Sequence, residues 1–230
     1  MARIARIVVP GVPHHLTQRG NRQADVFLSA EDYGAYVAIL GAAARRRGMD
    51  IWAYCLMANH VHLVVVPQTP MALAYALRDA HTLYALRLNR QLGTSGHVWQ
   101  GRFFSSVLDE THLWAAVRYV ERNPVRLGSV ACAEEYAWSS AAAHCGLRHD
   151  PLLSPGFPPP GVVANWADWL CSEEPGTSET IRRQTHTGRP CGPTRFVKTL
   201  EGLLGRQIRP RKRGPRPARP AISGTDYETR

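Results

Sequence analysis

Alternating and helical spacings of apolar residues divide the first 130 residues into seven segments. Residues 12–19, Val-Pro-His-His-Leu-Thr-Gln-Arg, read as a strand that turns at Gly20-Asn21. Ser29 then stands as an N-cap before Glu31 and Asp32, and Tyr33, Val37, Leu40 and Ala44 keep helical spacing up to Arg45-Arg46-Arg47 and Gly48. The arginine triplet suits the negative end of a helix dipole, and contact with DNA is the other reading. Residues 51–56 form a second strand and 57–59 a short turn. Residues 60–66, apolar and β-branched from Val61 and ended by Pro67, form a third strand, so these two pair antiparallel. A long helix follows over 71–91, with Leu73, Leu77, Tyr84 and Leu88 apolar and Arg78, Arg87 and Arg90 on a solvated face. After the loop 96–102, residues 103–108 read as a fourth strand. Asp109 caps the last helix, which places Leu113, Val117 and Val120 on its core stripe. His112, Tyr119 and Asn123 share a neighbouring stripe, and Pro124 is expected to end the helix.

The pattern weakens after residue 146. Residues 151–161 are proline-rich, and Trp166, Trp169 and Leu170 suggest a short amphipathic helix that docks back. Residues 172–189 are polar and read as a linker. A small helix over 193–204 carries Phe196, Leu200, Leu203 and Leu204, with Gly205 as its cap. The expected organisation is therefore a main domain over 1–147, a proline-rich linker with a small helical extension over 148–205, and a basic tail over 206–230 with too little apolar surface to fold alone.

Charge narrows the class of partner. The 230 residues carry a formal net charge of +10, and residues 206–220 hold seven positive charges without an acid. That imbalance points to a polyanion such as nucleic acid. No apolar run approaches the ~20 residues that span a bilayer. The five cysteines are scattered without a C-x-x-C pair, which fits a reducing cytoplasm better than a disulfide or zinc framework.

The element order β-α-β-β-α-β-α predicts an α+β fold, a ferredoxin-like split βαβ with an added C-terminal helix and a basic extension. Along a strand His60 and His62 project from one face, as a metal pair or as two polar residues at a strand start. The later helix after Asp109 can bring Tyr119 opposite them. Two imidazoles and an amide leave coordination positions open, which suits polarising a phosphoryl oxygen. The loop Gly96-His97-Val98-Trp99-Gln100-Gly101-Arg102 has the composition either to stack on bases and hold phosphates or to anchor itself on the core through Trp99.

Three motifs now stand in order: Ala-Tyr-Cys-Leu-Met-Ala-Asn-His-Val-His-Leu-Val-Val over 53–65, Trp-Gln-Gly-Arg-Phe-Phe over 99–104, and Arg-Tyr-Val-Glu-Arg-Asn-Pro-Val-Arg-Leu-Gly over 118–128. Together they resemble the REP-associated tyrosine transposases, a branch of the single-tyrosine HUH (His-hydrophobic-His) transposases. Thr17-Gln18-Arg19-Gly20-Asn21 and Trp138-Ser139-Ser140 fit as well, so the likeness covers about residues 1–147.

The resemblance implies a ferredoxin-like fold and a divalent cation, Mg²⁺ or Mn²⁺, held by His60 and His62 with Asn123 as third ligand. It implies Tyr119 as the nucleophile of a single-stranded DNA endonuclease and strand transferase that forms a 5′-phosphotyrosine. The partner would be single-stranded or hairpin DNA from repeats, met in the cytoplasm at the nucleoid by a monomer or homodimer. Arg19, Trp99, Gln100, Arg102, Arg211, Lys212 and Arg213 are the expected DNA contacts. Ala58 stands where proline is frequent in these proteins, and Glu121 places an acid near the expected phosphate site. Two other readings stay open. One is a non-cleaving protein that recognises palindromic repeats; the intact His60, His62 and Tyr119 argue for cleavage. The other is a metal enzyme acting on a small molecule, which the basic tail disfavours.

Overall fold

The computed structural model describes residues 5–172 and 177–209. In chain order the first elements are β1 (His14–Arg19), α1 (Ala30–Arg47), β2 (Met49–Met57), β3 (His60–Pro67), α2 (Ala72–Leu92) and β4 (Phe104–Val107). The strands make one antiparallel sheet in the order β2-β3-β1-β4. This is the split βαβ arrangement expected from the sequence, with both crossover helices on one face. There Leu16, Leu56, Leu63 and Val65 of the sheet pack on Tyr36, Leu40, Leu73, Leu77 and Tyr84 of α1 and α2.

The helices end where their residues dictate. Gly48 and Gly93 take left-handed conformations that close α1 and α2. At the other end of α1, the buried Asp32 carboxylate reaches back to accept from Leu28 N–H at 3.0 Å and pairs with Arg87 at 2.7 Å. Arg87 is thus a buried acid's partner and no mere part of a solvated face. Arg46 and Arg47 likewise meet Asp79 of α2 at 2.9 and 2.7 Å, so two of the triplet tie the helices together.

The second sheet face is covered too. α3 (Glu110–Glu121) starts at Asp109, whose carboxylate accepts from His112 N–H. The expected stop at Pro124 is displaced: α3 ends at Glu121, and a short α4 (Asn123–Arg126) begins at once. Proline fits there because the first turn of a helix needs no N–H from it. After α5 (Ala141–His144) and α6 (Trp166–Cys171) come α7 (Thr177–Thr187) and α8 (Thr194–Leu204). Leu113, Val117 and Val120 of α3 join Trp166, Leu170 and Ile181 in a second core against Ala53, Cys55 and Val64. Burial on both faces explains the uninterrupted apolar run of β3.

Two expectations fail in this region. Residues 172–189 are not a linker, since α7 packs on β4, β1 and α3 with Ile181 and Thr185 buried. One apolar residue and one hydroxyl, four positions apart, suffice to seat a helix whose other residues are polar. Residues 206–209 are not tail either. Arg206 donates to the Arg6 carbonyl at 2.7 Å, Ile208 is buried, and Arg209 pairs with Glu201 at 2.8 Å. No helix among the described residues is long and apolar enough to cross a membrane.

Candidate active site

Strand register builds the site. His60 lies opposite Arg19 and His62 opposite Thr17, so the α3-facing side of the sheet carries His60, His62 and Val64 beside Arg19, Thr17 and His15. The rings of His60 and His62 lie 5.0 Å apart and nearly perpendicular.

His60 is oriented by the turn before it. Loop residues 20–27 hold that turn: Gly20 N–H donates to Asn59 O, and Val26 and Phe27 N–H groups both donate to Ala58 O. A Cβ on Gly20 would meet Val26 Cγ1 at 2.8 Å, so this close approach requires glycine. Asn59 donates its amide to Gln23 O, which leaves its Oδ1 to accept from His60 Nδ1 at 2.6 Å. The lone pair of His60 is then on Nε2. Asn123 imposes the same tautomer, because its Oδ1 accepts from Arg126 at 2.6 Å and its Nδ2 therefore donates to His60 Nε2 at 3.2 Å.

His62 is oriented from the opposite side. His15 stacks on it, ring centres 5.2 Å apart, with His15 Nε2 3.0 Å from His62 Nδ1. The far nitrogen of His15 meets Thr185 Oγ1 of α7 at 2.7 Å. Burial keeps all three imidazoles neutral. It pushes His15 down to about 3 and His60 to about 4, the Arg19 and Arg126 charges adding to the second effect. His62 is held well below its ordinary value by burial and then by His15 and His60.

Tyr119 faces this group. Its ring stands edge-on to His62 at 5.4 Å and to His15 at 5.8 Å, and the Arg126 guanidinium lies 5.4 Å from its centre. Only 5% of the residue is exposed. Burial raises the phenol's pKa, while Arg126, Arg182 and Arg19 act to lower it. Tyr119 thus reaches the His pair, but it does so from within the second core, packed with Leu113, Val117 and Val120, and not from beside it. Asn123 is fully buried against His60, whereas His112, on the same predicted stripe, turns back to Asp109.

Glu121 is not an acid near the phosphate site. It is fully buried in the second core, accepting from Ser140 Oγ at 2.5 Å, His144 Nδ1 at 2.6 Å and Trp166 Nε1 at 2.7 Å. It lies two positions after Tyr119, which turns it to a different side of the helix. Ser140 also bonds Tyr54 N–H, so the Trp-Ser-Ser segment ties the end of α3 to β2.

Trp99, expected to stack on DNA, is buried in the α1–α2 core. It stacks on His81 at 4.3 Å and donates Nε1–H to the His81 carbonyl. It anchors a loop whose Gln100 N–H donates to Arg19 O. Arg19, Gln100 and Arg102 are exposed. Arg211, Lys212 and Arg213 lie outside the described residues. Sequence reasoning missed His15, Thr185, Arg126 and Arg182. His15 carried a readable signal, alternation with Thr17 on one strand, but Thr185 sat in a polar stretch that gave none.

Among the described residues no three His, Cys, Asp or Glu side chains gather as a metal cluster. Any ion here would rest on two imidazoles and an amide.

This architecture is that of a tyrosine transposase fold: the chain superposes on a REP-associated tyrosine transposase bound to a REP hairpin with a TM-score of 0.53, at 19% identity over 67% of this chain and 92% of that one. A candidate transposase from Deinococcus radiodurans R1 matches more loosely, with a TM-score of 0.36 at 19% identity over 53% of this chain and 97% of that one. The family of IS200-like transposases matches residues 9–123, half of the chain, and the chain belongs to that family. No curated protein matches it.

Proposed function

We propose that this chain cuts and rejoins single-stranded hairpin DNA through a covalent bond to Tyr119, with a divalent cation at His60 and His62. The observation that carries the reading is the meeting of Tyr119 with a pair of neutral, oriented imidazoles within the field of three guanidinium groups. The donor set fits such an ion. Nε2 of His60 is already a lone pair, and Nε2 of His62 is the nitrogen left free by His15. Asn123 would join through Oδ1 once its amide turns over, which would release Arg126. A bound Mg²⁺ or Mn²⁺ supplies Lewis-acid polarisation of the phosphate.

The rest falls to the chain's own residues. The Tyr119 oxygen attacks phosphorus, the phosphorus–O3′ bond breaks, and a 5′-phosphotyrosine and a free 3′-hydroxyl result. The proton lost by the phenol is matched by the one gained at O3′. Arg126, Arg182 and Arg19 offset part of the cost that burial places on ionising the phenol. Arg19, Gln100 and Arg102, grouped at one end of the sheet, and the basic tail are the proposed DNA contacts.

A labelled hairpin oligonucleotide with a single-stranded flank, incubated with Mn²⁺, tests this. Wild-type protein should acquire a denaturant-resistant bond to the fragment on the 3′ side of the cut. Tyr119→Phe should bind the hairpin with unchanged affinity and form no adduct. An adduct in the phenylalanine variant would move the nucleophile elsewhere.

A further inference from the structure

The chain Thr185–His15–His62 joins α7, which lies outside the family-matched residues, to a proposed metal ligand. All three residues are buried, at 1, 1 and 6% exposure, so water does not compete for these bonds. Only two proton arrangements satisfy them. In one, His62 Nδ1–H donates to His15 Nε2 and His15 Nδ1–H donates to Thr185 Oγ1, leaving the His62 Nε2 lone pair free. In the other, Thr185 Oγ1–H donates to His15 Nδ1 and His15 Nε2–H donates to His62 Nδ1, which puts a proton on His62 Nε2. The first arrangement binds a cation and the second cannot.

We propose that His15 and Thr185 are positioning residues that keep the metal-binding tautomer of His62 accessible in the buried site, making α7 a working part of it. The inference rests on His62 being a metal ligand. Thr185 holds its place for reasons independent of the imidazoles. Ile181, one turn earlier, is buried in the second core. Beyond the helix, Cys191 N–H donates to Val107 O, and Ser106 Oγ–H to Arg189 O, fastening the chain to β4. An acceptor oxygen is thus delivered to His15 by the packing of the C-terminal segment.

Thr185→Val replaces the hydroxyl with a methyl group of the same shape. His15 Nδ1–H would then be a buried donor without an acceptor, which is costlier than an idle lone pair. The protons should shift to the second arrangement. In ¹⁵N-detected imidazole spectra of metal-free protein, the His62 tautomer with its proton on Nδ1 should be populated in the wild type and lost in Thr185→Val, where the proton sits on Nε2. Titration with Mn²⁺ alone should show a Kd about 10- to 100-fold weaker in the variant, the range found when an outer-shell partner is lost. Thr185→Ser should restore both readouts, and metal-free hairpin binding should be unchanged throughout. Thr185→Ala, which also lacks the oxygen, serves if the valine variant does not fold. Equal Mn²⁺ affinity in wild type and Thr185→Val, with His62→Ala binding none, would overturn the inference and leave the metal reading standing. Equal affinity in wild type and His62→Ala would remove the metal reading and this inference with it.

Discussion

Tyr119 and His14 are both buried, and burial moves their pKa values in opposite directions because it penalises whichever form is charged. For Tyr119 this opposes the ionisation that attack requires, so the surrounding arginines belong to its chemistry and not to solubility alone. For His14 the result is a stability effect. The ring is fully buried, with Nδ1 2.7 Å from Val12 O and Nε2 accepting from Val9 N–H. Burial takes its pKa from 6.5 down to about 4. The folded value lies below the unfolded one, so between them the unfolded chain binds more protons. Stability from this residue is complete above about pH 6.5 and falls as the pH drops toward 4. Urea unfolding of metal-free protein across that window should give His14→Gln a slope shallower than wild type by up to about 1.4 kcal/mol per pH unit. Equal slopes would mean that His14 protonates in the folded protein without penalty.

At the level of elements, α3 is fixed at both edges of the site. One side presents Tyr119, and another sinks Glu121 into a nest of three donors from α5, the residue just before it, and α6. Glu121→Ala leaves Ser140, His144 and Trp166 without their acceptor in a closed core. It should cost about 3 kcal/mol in chemical denaturation, since each abandoned buried donor costs about 1 kcal/mol or more. Ser140→Ala removes one donor to Glu121 and the acceptor of the buried Tyr54 N–H, and should cost about 2 kcal/mol. A loss below 1 kcal/mol for Glu121→Ala would show that the nest does not hold α3. The loop carrying Gln100 and Arg102 follows the same logic, with Trp99 as its anchor and the polar side chains left outside.

For the whole molecule, the sheet is closed on both faces, and the segment after residue 148 supplies much of the second cover. Residues 206–209 therefore belong to the folded part and not to the expected basic tail, the rest of which lies outside the described residues. Residues 210–220 still carry Arg211, Lys212, Arg213, Arg216 and Arg219. If they neutralise phosphates, removing 210–230 should flatten the dependence of log K on log salt by about 0.7 per lost contact with single-stranded DNA. Hairpin selectivity should change less than the slope, as measured by competition with an unstructured oligonucleotide. An unchanged slope would place the tail away from DNA.

The sequence by itself determined the seven-element order, the ferredoxin-like sheet and the shared face of His60 and His62. These depend on local periodicity and on side-chain alternation, which adjacent residues carry. It also set Tyr119 at an angle from Leu113, Val117 and Val120, but the fold buries all four in one core, because later segments cover that side of the helix as well. Tertiary structure alone decided the rest. That His15 stacks on His62 depends on the register of strands 47 residues apart, and that Thr185 caps His15 depends on a helix docking 170 residues away. Glu121 and Trp99 show the converse. Each carries a polar or aromatic group that suits DNA chemistry, and each is drawn inward because the fold supplies buried partners. Such partners come from remote segments, so no local pattern announces them.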